Sequence, residues 1–250
     1  MDHVSAKIRA MRARLITTEQ YQILCRSQST EHFLAQLRTY PAYTHGRISM
    51  SEETERLRLF LTGSGVASCV ALGSRMGSVT KKRSRFMALE EDYMQAWSWI
   101  KTLPNGSNRQ ALTYIKGTEI DLHNIFWIYR LKQYYPEAEV YPHLVPVCYR
   151  LNKETLRQMA ESPGVAEFIV HLRHTYYSHV FDSFENPEYA ITLAMKSVFS
   201  KMAKRYPRSI AGVIGYVFDK RVEVRNLTAV MEGIQYRLGP EEVFKCLYVY

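Results

Sequence analysis

The sequence lacks a hydrophobic run long enough to cross a membrane. A membrane-spanning helix needs about 20 consecutive apolar residues, whereas the nearest candidate, residues 59–73, is shorter and rich in glycine and serine. Residues 1–15 also lack the apolar stretch of a secretory signal. These absences predict a protein of the cytoplasm.

Cysteine is scarce, and its four copies are widely separated: Cys25, Cys69, Cys148 and Cys246. No two of them form a CxxC pair, so neither a zinc site nor a redox motif is indicated. We therefore expect reduced cysteines that pack as small buried hydrophobic residues.

The sequence also lacks the short motifs of common catalytic sites. It contains no GxSxG, no HExxH and no phosphate-binding GxxxxGK followed by serine or threonine. His171 and His174 would share one helix face, but no acidic residue or cysteine nearby obviously completes a metal site. The sequence thus predicts no catalytic residue, no metal ion and no cofactor.

Positive charge is in excess. Lysine and arginine number 33 against 24 aspartates and glutamates, a formal net charge of +9. Such a balance favours an acidic partner, which is nucleic acid, an anionic lipid surface or an acidic protein. The eighteen tyrosines would suit stacking on RNA, but they are spread over many segments at core spacing.

Apolar residues recur mainly at intervals of three and four, as in Ile8, Met11 and Leu15, which is typical of helices with one buried face. Thr17 or Thr18 and then Ser29 or Thr30 are suited to cap the helices that follow them. Strict alternation is almost absent, and two prolines in AEVYPHLVPVCY favour an extended connector over a strand. The pattern predicts an all-α fold of pseudo-repeated helical subdomains packed as a bundle or partial funnel.

Helix boundaries in the second half are marked by punctuating residues. Asn108 is a candidate cap, Gly117 is a candidate break, and Pro187 suits the first turn of a long helix that stops before Pro207. The Gly/Ser-rich stretch that ends in KKRSR predicts a linker or loop. The predicted parts are 1–50 (N-terminal helical part of a first repeat), 51–86 (linker), 87–186 (central repeat) and 187–250 (C-terminal repeat).

The chain repeats itself at two different spacings. Tyr114 aligns with Tyr216, and Asn124 aligns with Asn226, at a constant spacing of 102 residues. Residues 15–38 align without gaps on residues 150–173 at a spacing of 135, so that Phe33 meets Phe168 and Arg38 meets Arg173. Because the two spacings differ, we expect that the unit was lengthened or cut between copies.

These repeated segments resemble a known family. The helix EIDLHNIFWIYRLKQY (119–134) and the segment EVRNLTAVMEGIQYRLGPEEVFKCL (223–247) are similar to the signatures of the C subunit of the V/A-type rotary ATPases, whose eukaryotic vacuolar counterpart is called the d subunit. The resemblance covers nearly the whole chain except about residues 50–86. Its motifs are degenerate, and none is an invariant triad.

The resemblance implies a non-catalytic role. Members are all-helical funnels of three similar subdomains that sit on the membrane rotor ring and accept the tip of the central shaft. The chain would then couple the shaft of the ATPase head to the ion-carrying ring, on the cytoplasmic face of a membrane and in contact with the lipid surface only indirectly. Nucleic acid is not an expected partner on this reading.

Two glutamates, two asparagines and two arginines within the repeated segments are candidates for structural packing: Glu119, Asn124, Glu223, Asn226, Arg38 and Arg173. A buried asparagine can hydrogen-bond a neighbouring helix and fix its register, because an unpaired buried amide would cost a few kcal/mol. Family members are longer and have three asparagine-centred helices, whereas two are found here. The resemblance therefore implies a shortened or divergent member.

A basic all-helical nucleic-acid-binding or scaffold protein is the alternative function, because the net charge alone favours an acidic partner. Binding to random DNA or RNA that weakens with salt would support this alternative.

Overall fold

The computed structural model describes residues 2–44, 85–181 and 186–249 of the 250-residue chain. Within these ranges there are ten α-helices, two short 3-10 turns and no strand, so the all-α prediction is confirmed. The α-helices are α1 (Asp2–Arg12), α2 (Thr18–Cys25), α3 (Thr30–Leu37), α4 (Arg85–Thr102), α5 (Ser107–Tyr134), α6 (Lys153–Glu161), α7 (Val165–Arg173), α8 (Pro187–Arg205), α9 (Ala211–Gln235) and α10 (Pro240–Lys245). In the described part of the chain, no helix is both long and apolar enough to span a membrane.

Helix starts follow the local capping chemistry. The Thr17 side chain accepts a hydrogen bond from the Gln20 amide, and Ser29 does the same for the His32 amide. Pro187 opens α8 behind an Asn186 cap, and α8 ends at Arg205, before the proline that follows. These predictions from the sequence are confirmed.

Two boundary predictions on α5 are wrong. Asn108 does not cap the helix, because Gly106 is the N-cap and the Asn108 side chain instead accepts a hydrogen bond from the Ile210 amide at 2.9 Å. Gly117 does not break α5, which runs on to Tyr134. A β-carbon at Gly117 would lie 2.4 Å from Cγ of Tyr149, so the glycine is explained by a close approach between two segments.

The expectation that the cysteines are buried holds for one of the three cysteines that the structure describes. Cys25 is buried in a hydrophobic core, and burial raises the pKa of its thiol to about 11. Cys148 is half-buried and Cys246 is exposed, so the expectation of burial is wrong for Cys246. Cys69 lies outside the described residues, as do most of residues 51–86 that the sequence assigns to a linker.

The chain divides into two compact units. Unit 1 combines the described residues within Met1–Gly73 and Gly212–Tyr250, and unit 2 lies within Ser74–Ala211. The core of unit 1 joins α2 and α3 to α9 and α10 through buried side chains: Ile16, Tyr21, Leu24, Cys25, Phe33, Val230, Val243 and Leu247. In unit 2, the long helix α5 contacts α4, α7 and α8. The predicted boundaries at residues 50, 86 and 186 remain predictions.

Each compact unit combines one long helix with one helix pair. In unit 2 the long helix α5 precedes the helix pair α6–α7, whereas in unit 1 the pair α2–α3 precedes the long helix α9. The spacing of 102 relates the two long helices, and the spacing of 135 relates the two pairs. Along the chain, however, a helix pair precedes each long helix, with 69 residues between α3 and α5 and 37 between α7 and α9. The two repeat spacings differ because these two stretches differ in length, so the expectation that the unit was lengthened or cut between copies stays a prediction.

Candidate functional site

Each long helix carries an acidic residue and an asparagine three positions apart. These two acid–amide pairs are Asp121 with Asn124 on α5 and Glu223 with Asn226 on α9. Residues three apart lie on the same face of a helix, and all four side chains are buried, with exposed fractions between 0 and 4%. Polar groups at this depth are stable only when their hydrogen bonds are satisfied.

Asn124 binds both backbone groups of one residue in a connector. Its Nδ2 donates to the Val145 carbonyl at 3.0 Å, and its Oδ1 accepts from the Val145 amide at 2.9 Å. Val145 lies outside any helix and is almost fully buried, so its backbone groups need a partner other than water. The asparagine amide supplies that partner.

Asn226 repeats this arrangement in unit 1. Its Nδ2 donates to the Tyr248 carbonyl at 3.1 Å, and its Oδ1 accepts from the Tyr248 amide at 2.8 Å. The bound residue lies 22 positions after Asn226, compared with 21 positions in unit 2. Two asparagines at matched places in the sequence therefore hold the return segment that follows each long helix.

Asp121 holds the segment that leads into α6. Its carboxylate accepts hydrogen bonds from the amides of Tyr149 at 3.1 Å, Arg150 at 2.7 Å and Leu151 at 3.2 Å. It also accepts from the Tyr177 hydroxyl at 2.8 Å. Burial raises the pKa of Asp121, while these hydrogen bonds act in the opposite direction.

Glu223 holds the segment that leads into α2. One carboxylate oxygen accepts from the Ile16 amide at 2.7 Å, and the other accepts from the Tyr43 hydroxyl and from the Lys220 ammonium group. Burial raises the pKa of Tyr43, and the neighbouring Glu223 carboxylate raises it further. A hydrogen bond from the Tyr21 hydroxyl to the Glu223 carbonyl, at 3.4 Å, adds a further link between α2 and α9.

The contacts of the two acids are equivalent in the repeat frame. Asp121 and Glu223 are 102 residues apart, and the amides that they bind at Leu151 and Ile16 are 135 residues apart. Each acid also accepts a tyrosine hydroxyl from the chain that follows its helix pair. Residues related by the two repeat spacings therefore form the same type of contact, between the acid of the long helix and the segment that leads into the helix pair.

Glu119 is not the counterpart of Glu223. It is partly exposed and forms an ion pair with Lys116, one turn away on α5, at 2.6 Å. The sequence interpretation overlooked Asp121, although the spacing of 102 residues that aligns the asparagines also aligns Asp121 with Glu223.

Arg38 and Arg173 lie outside both networks. Arg38 is at the C-terminal cap of α3, and Arg173 is exposed in the last turn of α7. Positive charge is favourable there because of the partial negative charge at a helix C-terminus.

The chemistry of the acid–amide pairs is structural. Both carboxylates and both amides are occupied by backbone amide, carbonyl, hydroxyl or ammonium groups of the same unit. They join non-helical segments to the long helices at points where the hydrophobic core alone would leave polar groups unpaired.

His123, next to Asn124, is a buried titratable group of unit 2. Its ring lies 4.9 Å from the Tyr93 ring and 5.9 Å from the Trp127 ring, measured between centroids. Burial lowers the pKa of His123 to about 4, against the influence of Glu119. The unfolded chain therefore binds this proton more readily than the folded chain.

The stabilisation that His123 provides is complete above its unfolded pKa of about 6.5 and is lost as the pH falls toward 4. We expect this residue alone to lower the free energy of unfolding by about 2 kcal/mol between pH 7 and pH 5. Urea unfolding of the native chain and of His123→Gln at both pH values measures the difference. An equal loss in both proteins would contradict the prediction.

Comparison with known proteins finds one matching family. Residues 87–245 match the family described as the ATP synthase (C/AC39) subunit. Three relatives are each named as the C subunit of an A-type ATP synthase. The relative from Methanobrevibacter smithii is 30% identical over 154 residues, which cover 57% of this chain and 40% of the relative.

The other two relatives align over similar shares. The relative from Archaeoglobus fulgidus is 32% identical over 137 residues, covering 53% of this chain and 40% of the relative. The relative from Methanocaldococcus jannaschii is 27% identical over 169 residues, covering 63% and 42%. The chain spans about two fifths of the length of these curated relatives.

Proposed function

Because the chain belongs to the ATP synthase (C/AC39) subunit family, we propose that it is a non-catalytic subunit of the central stalk of a V/A-type rotary ATPase. It couples the shaft of the soluble ATPase head to the ion-carrying rotor ring in the membrane. The relatives' name, which assigns them to an A-type ATP synthase, supports a place in such a complex.

The observation that carries this proposal is the pair of buried acid–amide networks. A subunit that transmits torque must resist deformation, so its connectors should be fastened to its helices. In unit 2, Asp121 and Asn124 fasten four residues of the connector between α5 and α6. In unit 1, Glu223 and Asn226 fasten segments that lie more than 200 residues apart in the chain. Close-packed interiors with satisfied polar groups transmit strain instead of absorbing it.

The net charge of +9 supports a position next to a membrane. Anionic headgroups attract lysine and arginine near the surface by about 1 kcal/mol per residue. The protein is held at the cytoplasmic face through the rotor ring, and its contact with the lipid is secondary. The match covers only about two fifths of each relative.

Affinity purification tests the assignment. We expect the tagged full-length chain, purified from detergent-solubilised native membranes after nuclease treatment, to bring down head, shaft and ring subunits of the ATPase. Mass spectrometry identifies these subunits. A tagged basic helical protein of similar net charge serves as the control, because it should recover only what charge attracts.

The opposite result favours the alternative function. Recovery of nucleic acid in a sample without nuclease, at low salt and with no ATPase subunit, would contradict the coupling role. The chain would then act as a basic helical scaffold, as its net charge alone suggests.

A further inference from the structure

Unit 2 contains an open cleft with a volume of about 700 Å³. Its walls are α5, the turn Ser178–Val180 with the tyrosines before it, and α8. Sites that hold small molecules or peptide side chains commonly measure about 300–1,000 Å³. We call this space the α5–α8 cleft.

One wall of the α5–α8 cleft is an apolar stripe of α8. Ala190, Leu193, Ala194 and Val198 line it and recur at intervals of about one turn. The stripe ends at Lys201, so it extends for about 17 Å at 1.5 Å per residue. A groove of this length along one helix matches an extended or helical segment better than a compact metabolite.

The end of the cleft beyond this stripe is positively charged. The Lys201 ammonium group lies 3.5 Å from the Tyr114 hydroxyl and 5.5 Å from the centroid of its ring. The Arg150 guanidinium lies 5.1 Å from the same ring and 4.1 Å from the Tyr176 ring. Two cations therefore lie beside one aromatic ring that lines the cleft.

The Tyr114 hydroxyl is arranged as a donor. It accepts a hydrogen bond from the Lys201 ammonium group, so its own proton is left to donate. Burial alone would raise the pKa of Tyr114, but the neighbouring Tyr176 and the charges of Lys201 and Arg150 lower it. A phenol and an ammonium group thus lie together at this end, and the Arg150 guanidinium packs on the Tyr114 and Tyr176 rings, which both line the cleft.

The two cations are not neutralised within the part of the chain that the structure describes. Neither Arg150 nor Lys201 forms an ion pair with a carboxylate there, whereas Lys116, Lys220 and Arg12 each do. Both cations are exposed, so they are available to an acidic group from another molecule. A carboxylate is the natural complement to such a set of donors.

From these observations we propose that the α5–α8 cleft binds an acidic amphipathic helix of a protein partner. The apolar side chains of that helix pack on the stripe from Ala190 to Val198, and a carboxylate at its end meets Lys201 and the Tyr114 hydroxyl, with the charge of Arg150 beside them. The proposal rests on the proposed function only for the identity of the partner, which would be another component of the rotary complex.

Peptide binding to the purified full chain tests this site. The probe is a fluorescein-labelled helical peptide of about 15 residues, built from alanine and leucine with two glutamates one turn apart near one end. The control peptide has the same sequence with glutamine in place of both glutamates. We expect the glutamate peptide to bind at least about tenfold more tightly, measured by fluorescence anisotropy at low ionic strength.

Two variants in the cleft and one outside it locate the binding site. Lys201→Gln should weaken binding of the glutamate peptide by about tenfold, and Leu193→Ser should weaken binding of both peptides. Lys204→Gln removes the same charge from an exposed position further along α8, outside the cleft lining, and should have little effect. Circular dichroism shows whether each variant keeps its helices.

Three outcomes would overturn the proposal. They are equal affinity for the two peptides, equal effects of Lys201→Gln and Lys204→Gln, and binding of single-stranded RNA that depends on Lys201 in the absence of peptide binding. The last result would assign the tyrosines and cations to base stacking. Because the probe is a synthetic peptide, a failed purification of ATPase components would leave this test unaffected, and the reverse also holds.

Discussion

Replacing Asp121 with alanine is expected to lower the free energy of unfolding by about 3–5 kcal/mol. The substitution leaves three backbone amides and the Tyr177 hydroxyl without their acceptor. Water cannot replace this acceptor easily, because Asp121 is fully buried. Alanine is itself favourable within a helix, so the loss comes from the missing hydrogen bonds and not from helix propensity. Urea unfolding followed by circular dichroism measures the change.

Glu119→Ala is the matched control for this prediction. It removes an acidic residue from the same helix, two positions earlier, where the carboxylate pairs with Lys116 at a partly exposed site. We expect a loss of about 0–1 kcal/mol, as is usual for surface ion pairs. A loss at Asp121 as small as that at Glu119 would show that the carboxylate does not hold the connector.

Replacing either buried asparagine with leucine is expected to lower the free energy of unfolding by about 2–4 kcal/mol. Leucine has a similar shape but cannot pair with the amide and carbonyl of Val145 in one unit, or of Tyr248 in the other. Two buried backbone groups would then lack partners in each variant. Urea unfolding of Asn124→Leu and of Asn226→Leu measures both values.

Asn186→Leu provides the comparison for the asparagine variants. Asn186 caps α8 from an exposed position, through one hydrogen bond from the Tyr189 amide, so its loss should be about 1 kcal/mol. The two buried asparagines share no partner, and their effects should add within about 0.5 kcal/mol in the double variant. If Asn124→Leu were no more harmful than Asn186→Leu, the buried bridge would contribute little to stability.

Much of the local structure could be predicted from the sequence, because it depends on neighbouring residues. The caps at Thr17 and Ser29 and the start of α8 at Pro187 follow from side-chain and backbone chemistry within one turn. Asn108 misled the prediction for a physical reason, since the same oxygen that can cap a helix here accepts from the distant Ile210 amide. Gly117 misled it because a glycine that breaks a helix and one that admits Tyr149 look alike in sequence.

Only part of the candidate site could be predicted from the sequence. The repeat spacing identified both asparagines, but the acid assigned to the first of them was Glu119 instead of Asp121. Helix geometry distinguishes the two, because Asp121 is three positions before Asn124 and shares its face, whereas Glu119 is five positions before it. The basic cluster around Tyr114 gave no comparable signal, since its residues come from separate segments of unit 2.

The sequence by itself determined the all-α class, most helix boundaries and the existence of a repeated unit, because apolar periodicity and capping are local and recur at fixed spacings. Only the tertiary structure decided which helix pair packs against which long helix. In unit 1, the Glu223 carboxylate reaches the Ile16 amide across 207 positions of the chain, whereas in unit 2 Asp121 reaches Leu151 across 30. Contacts between such distant segments form when the hydrophobic faces pack together. A local sequence pattern does not determine which of the two parts comes first within a compact unit.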